Sequence, residues 1–313
     1  MNYSKLPRLL SAFHINKKTF KLARESLNHL RALRVSSKSN LFRVFNGKEG
    51  EYLASVRNLD SGECTLEQKL REQPPKKRKQ VWLFSTPIDR TRNSILIEKA
   101  VELDVSFLFP QVITERTQQQ RIREGDEKII VNENVLNDLF QSITLDETLL
   151  KFKSSQTSFN YRSKPPLSVI SAWVKDAAEQ CERLSLPILS SNPITLEQAF
   201  DFWMNESVST KNLFGEQERL LLICDEGFAR SSYENDHTIK DLSIIEAISK
   251  LPKDADIGVL IGPEGGFTKN EKNLFKKMEI ESNYIKRITL GENILRAETA
   301  AIVALSQISL ALR

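Results

Sequence analysis

Few residues in this 313-residue chain can serve cross-links or metals: it has three cysteines and three histidines. Cys64, Cys181 and Cys224 stand singly, which excludes a disulfide framework and a CxxC zinc site and points to a reducing compartment. His14, His29 and His237 form no metal-ligand spacing, so no metal is expected. No apolar run reaches the about 20 residues of a membrane span. The most apolar stretch, 297–312, is interrupted by Glu298, Thr299, Ser306 and Gln307 and reads as a buried helix, because a helix apolar on most faces needs partners on several sides. The basic N-terminus has no continuous apolar region and no small-residue cleavage site, so no secretion signal is read. Acid is missing until Glu25, as in an organellar presequence, yet 6–15 reads as a first strand and leaves little room for one. The GxGxxG order of dinucleotide binders and the Gly-Lys-Ser/Thr of a P-loop are absent too, as is any internal repeat.

Charge is present in an uneven distribution. Between Met1 and Lys48 eleven Lys and Arg face the single acid Glu25, a local charge of +10 in a chain of net +4, which leaves −6 for the remainder. Such a segment is the footprint of a polyanionic partner, since neutralising phosphates releases counterions. A second run, Lys76-Lys77-Arg78-Lys79, follows Pro74-Pro75 and reads as a basic linker.

The chain is long enough for two domains. Residues 1–70 read as a small β domain: Leu41–Phe45 and Glu51–Val56 alternate around the turn Asn46-Gly47-Lys48-Glu49-Gly50 as a hairpin. Residues 71–80 are the linker. From Val81 the pattern becomes α/β, with a strand at 81–85, a helix at 92–103 and a strand at 105–109. Two polar stretches, about 121–170 and 205–218, read as insertions. A further strand, 220–224, ends in Asp225-Glu226-Gly227.

Two segments near the C-terminus carry the most information. Ile257–Ile261 runs into Gly262-Pro263-Glu264-Gly265-Gly266-Phe267, and Ile288-Thr289-Leu290 into Gly291-Glu292-Asn293-Ile294-Leu295-Arg296-Ala297-Glu298-Thr299-Ala300. Each is a short apolar run closing on a glycine turn, the pattern of a buried parallel strand that delivers its C-terminal end to a ligand loop.

GPEGGF followed by LGxxILRxETA resembles the SPOUT superfamily of S-adenosylmethionine-dependent methyltransferases, and within it the family that methylates ring nitrogen N3 of a uridine in bacterial small-subunit ribosomal RNA. His29–Val35, followed by the 46–52 turn, resembles the N-terminal domain of that family, as do Glu98–Leu103, Thr114-Glu115-Arg116, Ala178-Glu179-Gln180, Arg183 and Pro187. The resemblance implies an N-terminal PUA-like β-barrel that grips RNA, then an α/β SPOUT domain, 81–313, closed by a C-terminal trefoil knot. It implies S-adenosyl-L-methionine as cofactor, small-subunit ribosomal RNA or the small subunit as partner, and a homodimer. It also implies location in the bacterial cytoplasm or, in a eukaryote, an organellar matrix or stroma. Two positions depart from the pattern: Asp104 stands where the family has glycine, and the lysine expected after the first α/β strand is missing from Thr86-Pro87-Ile88-Asp89-Arg90, where Arg90 or Arg92 would substitute.

By the same resemblance the cofactor contacts are Leu222, Asp225, Glu226, Gly262, Pro263, Glu264, Gly265, Leu290, Gly291, Ile294, Leu295 and Ala300, and the RNA contacts are Arg8, His29, Arg31, Arg34, Arg90, Arg92 and Arg116. Methylation at uridine N3 requires loss of its proton while negative charge spreads onto the flanking carbonyls. Arg296 is the candidate to stabilise that charge by charge-assisted hydrogen bonds, with Glu264 and Glu298 as candidate bases. Either carboxylate could be structural instead, Glu298 because acids suit the first turn of a helix. The alternatives are ribose 2′-O-methylation by a relative of the same fold, and an RNA-binding assembly factor without catalysis.

Overall fold

The computed structural model describes residues 3–11, 15, 18–33, 35, 40–75, 79–123, 165–190, 193–204, 218–225 and 242–311. Most of the two expected insertions, at 124–164 and 205–217, and linker residues 76–78 fall outside them. The chain divides into two units: Met1–Lys76 with Val174–Leu186, and Lys77–Trp173 with Pro187–Arg313.

The first unit holds β1 (Arg8–Leu10), β2 (Thr19–Lys21), α1 (Arg24–Ala32), β3 (Leu41–Phe45), β4 (Glu51–Asn58) and β5 (Glu63–Arg71). They make one sheet in the order β1-β3-β4-β5-β2. The hairpin alternation fixes the β3–β4 register, Leu41 opposite Ser55 and Phe45 opposite Glu51. Leu9, Ile15, Leu30, Phe42, Val44 and Ala54 form its core.

Beside that core lies a buried ionic network. Arg8, 6% exposed, donates from Nε to Glu51 at 2.5 Å and from Nη2 to the carbonyl of Arg183 at 2.9 Å. Its Nη1 donates to the carbonyl of Ala178. Arg71 donates to Glu51 at 2.7 Å, Arg43 to Glu182 at 2.8 Å, and the amide of Leu10 to Glu179 Oε1 at 2.7 Å. These bonds tie Val174–Leu186 to the sheet. Burial raises the Glu51 carboxyl, but hydrogen bonds from Arg71 and Arg8 outweigh it and hold the group below the usual carboxylate range. Burial pushes Glu179 up and Arg183 down to about 10. Arg8 is thus corrected from an RNA contact to a structural residue: every nitrogen of its guanidinium is engaged inside its own unit.

The second unit contains β6 (Val81–Ser85), α2 (Arg90–Glu102), β7 (Phe107–Phe109), β8 (Val112–Ile113), α3 (Glu115–Arg123) and the start of α4 (Leu167–Gln180). After these come β9 (Ile188–Leu189), β10 (Ile194–Thr195), α5 (Leu196–Met204), β11 (Arg219–Cys224), α6 (Ile244–Ile248), β12 (Asp256–Ile261), α7 (Lys269–Glu281), β13 (Ile285–Ile288) and α8 (Ala297–Ala311). The main sheet runs β13-β11-β12-β6-β7-β9 with every pair parallel. Alternate positions of β6 and β7 present Trp82, Phe84, Phe107 and Phe109 to one side, where Phe200, Phe202 and Trp203 of α5 and Phe275 of α7 cover them. Trp82 stacks on Phe107 with ring centroids 3.6 Å apart. The apolar α8 packs against α2, α6 and β12.

The missing glycine at 104 has a local reason. Asp104 ends α2 with φ +66, its amide donating to Val101 at 3.1 Å while that of Val105 donates to Ala100 at 3.0 Å. This is a Schellman stop, which needs a left-handed residue after the helix; glycine fits it at no steric cost, and aspartate is among the few side chains that tolerate it.

Candidate functional site

Parallel strands place their C-terminal ends along one edge, where the loops that follow converge. Here the ends of β11, β12 and β13 open onto a cavity of about 500 Å³, a size ordinary for small-molecule sites. Cys224 and Asp225 come from β11, Ile261–Phe267 from β12, Ile288–Ala297 from β13, and Arg92 and Ala300 from α2 and α8. The two glycine segments singled out in the sequence therefore form facing walls.

Asp225, Gly262, Pro263, Glu264, Gly265, Leu290, Gly291, Ile294, Leu295 and Ala300 all line the cavity, as does Arg296. Glu226 lies outside the described residues. Leu222 is corrected: it is fully buried in the middle of β11, paired with Val259 and Lys286, and the wall begins two residues later at Cys224. Glu298 does not line the cavity either. It sits in the first turn of α8, 8% exposed, and its Oε2 has no hydrogen-bond partner among the described residues.

The glycines act in different ways. Gly291 adopts φ +120, and a methyl built on it meets nothing within 4 Å, so glycine is required there by the backbone and leaves open space beside the cavity. At Gly262 the requirement is steric: a methyl would lie 2.7 Å from the Phe267 ring, itself 4% exposed and packed edge-on against Phe275.

Two arginines enter the cavity wall with different surroundings. Arg92, in the first turn of α2, forms ion pairs with Asp89, the N-cap of that helix, and with Glu264 of the glycine loop. Arg296 has no ion pair among the described residues. Asp225 is buried and faces Lys272 of α7 at 3.5 Å, a partner with no signal in the sequence. Burial pushes the neighbouring Cys224 thiol up to about 12, with the charge of Asp225 adding to it, so it stays protonated in the cavity wall.

Of the remaining expected RNA contacts, Arg90 and Arg116 are exposed in the second unit, and His29 and Arg31 are exposed on α1 of the first. Arg31 donates to the carbonyl of Leu59 at 2.8 Å and approaches Asp60 at 3.3 Å; Arg34 lies outside the described residues. Lys18, Lys21, Arg24, Arg57 and Lys69 add exposed positive charge to the first unit. Among the described residues no cluster of three or more His, Cys, Asp or Glu could hold a metal ion, and no helix is long and apolar enough to cross a membrane.

Comparison with known proteins gives one consistent match. The family model described as RNA methyltransferase domain matches residues 148–309. A ribosomal RNA small subunit methyltransferase E from Rickettsia conorii is 27% identical over 270 residues, covering 86% of this chain and 80% of the relative. A methyltransferase from Legionella pneumophila, solved with bound SAM, shares the fold with a TM-score of 0.60 at 19% identity, covering 98% of each chain. The ribosomal RNA small subunit methyltransferase E of Neisseria gonorrhoeae, solved with S-adenosyl methionine, does so with a TM-score of 0.60 at 19% identity over 97% of each chain.

Proposed function

Because the chain belongs to the RNA methyltransferase domain family, we propose that it methylates N3 of a uridine in small-subunit ribosomal RNA with S-adenosyl-L-methionine as methyl donor. The observation that carries this reading is the cavity between the two glycine loops, with Arg296, which has no ion pair among the described residues, in its wall. The small-subunit RNA substrate follows the Rickettsia relative, which aligns over most of both chains.

The residues present fit the cofactor. Ile261, Ile288, Ile294 and Leu295 give apolar walls, Gly291 leaves room for close approach, and Asp225 offers a buried carboxylate to hydroxyl or amino groups. Bound there, the cofactor supplies a methyl group on a positively charged sulfur, which needs neither metal nor covalent enzyme intermediate. The chain must then orient the uracil, remove the N3 proton and stabilise the charge left on the flanking carbonyls. Arg296 does the last of these through N–H donors directed at a carbonyl oxygen. Glu264 takes the proton, since it is the candidate carboxylate within the cavity wall, and Arg92 orients it. Glu298 is structural, an acid at a helix N-terminus. Holding the reactants in line is worth about 7–11 kcal/mol in well-oriented systems and supplies much of the rate.

The finer architecture belongs to the same reading. The first unit acts as a PUA-like RNA-binding module, supported by its exposed lysines and arginines. A trefoil knot is supported by strand order: β13 lies outside β11, after which α8 returns to β12 and α2. A homodimer would cover Leu310, an apolar side chain 69% exposed on α8. Calorimetry with S-adenosylmethionine tests the cavity: saturable binding at one site per chain is expected, and an absence of binding would remove the assignment.

A further inference from the structure

The N-terminus of α3 and the N-terminus of α7 share one set of hydrogen bonds. Thr268 caps α7 in a capping box with Glu271: the Glu271 amide donates to Thr268 Oγ1 at 3.3 Å, and the Thr268 amide to Glu271 Oε2 at 2.8 Å. The box does not close on itself. Glu271 Oε1 also accepts the amide of Glu115 at 2.8 Å, and the Glu115 carboxylate accepts from Thr268 Oγ1 at 2.6 Å and from Asn270 Nδ2 at 3.3 Å. Glu271 is 4% exposed, so its bonds are shielded from competing water. Thr268 directly follows the glycine loop Gly262–Phe267 that walls the cavity. The residue after Glu115 is Arg116, whose Nη1 lies 3.7 Å from a methyl built on Gly265. That guanidinium is exposed and has no ion pair or hydrogen bond among the described residues.

We propose that Glu115 and Glu271 are positioning residues: they latch α3 to the glycine loop and so hold the Arg116 guanidinium at the cavity rim, where it binds a phosphate of the RNA entering the cavity. This rests on the methyltransferase reading. The hydrogen bonds of Glu115 fix the first turn of α3 against the glycine loop, so the backbone that carries Arg116 is already in place beside the cavity rim and need not be ordered when RNA arrives. The sign of the Glu115 effect separates latch from simple electrostatics. Removing an acid beside an RNA path should, by charge alone, tighten RNA binding; removing a latch should weaken it.

The test is a double-mutant cycle on the full chain with a small-subunit RNA fragment, comparing wild type, Glu115→Ala, Arg116→Ala and the double variant. Arg116→Ala is expected to raise KM for RNA about tenfold, the scale of one charge-assisted hydrogen bond, with kcat within about twofold and the salt dependence flattened by about one phosphate contact. Glu115→Ala is expected to raise KM in the same direction, and the double variant to match Arg116→Ala alone, because Glu115 acts through Arg116. Thr268→Ser, which keeps the hydroxyl donor, should leave KM unchanged. Glu115→Ala that lowers KM, or effects that add in the double variant, would overturn the latch. S-adenosylmethionine affinity without RNA is measured for each variant and is expected to be unchanged. A wild type that neither binds the cofactor nor methylates RNA overturns the functional reading itself and the latch with it.

Discussion

Adding one methyl group at position 262 should damage the cofactor cavity in a way that a second substitution repairs. Gly262 has no left-handed backbone, so alanine is not excluded by φ; the obstacle is the Phe267 ring, 2.7 Å from the added carbon. Phe267 cannot swing away freely, because it is 4% exposed and its ring centroid sits 4.7 Å from that of Phe275 in the aromatic core. Overpacking of this kind costs about 1–3 kcal/mol. If the loop relaxes outward to relieve it, restoring the binding geometry must cost the same amount, which is a loss of about 5- to 150-fold in cofactor affinity. Phe267→Leu vacates the ring edge that the methyl strikes, so the pair Gly262→Ala with Phe267→Leu should recover affinity relative to Gly262→Ala alone. Calorimetric titration of the four proteins with S-adenosylhomocysteine reads this directly. Native affinity in Gly262→Ala, or strictly additive losses in the pair, would refute the steric origin of this glycine.

Three further outcomes follow from particular groups. Arg296→Ala should lower turnover by about 10²–10³, the range for removing one charge-stabilising donor, with Arg296→Lys recovering only part because an ammonium lacks the planar fork; single-turnover methylation with thermal unfolding distinguishes this from a loss of folding. Glu179 is raised in the folded state by burial, so the native chain binds its proton more tightly than the unfolded chain and stability falls as pH rises through the carboxylate range; Glu179→Gln keeps an acceptor for Leu10, should be at least as stable at neutral pH, and should lose that part of the slope in urea titrations. Asp104→Gly should melt no lower than the native chain, while Asp104→Val should lose about 1–2 kcal/mol at the left-handed stop of α2.

The strands of the second unit were legible because buried parallel strands leave continuous apolar runs: 81–85, 220–224 and 257–261 fall where β6, β11 and β12 stand. The cavity was legible because its two longest walls are continuous segments with their own glycine punctuation. What stayed hidden are pairings made across the fold. Nothing near Arg8 in sequence announces Glu51, Ala178 or Arg183 as its partners, and a basic N-terminal segment read by charge alone counts a buried arginine as an available one. The grouping of Val174–Leu186 with the first unit depends on those same bonds, so a truncation at residue 70 would strip partners from Glu179 and Glu182 as well as remove a domain. The capping box joins Thr268 and Glu271, three residues apart; its extension to Glu115 has no local trace in the sequence, because the two segments lie more than 150 residues apart.

Methyl transfer to one ring nitrogen is measured by mass mapping of small-subunit ribosomal RNA incubated with the purified chain and isotopically labelled S-adenosylmethionine. That transfer should leave label in a single uridine, on the base, with fragmentation that places it at N3. Label on a ribose 2′-oxygen, or none at all from a chain that still binds the RNA, would contradict it.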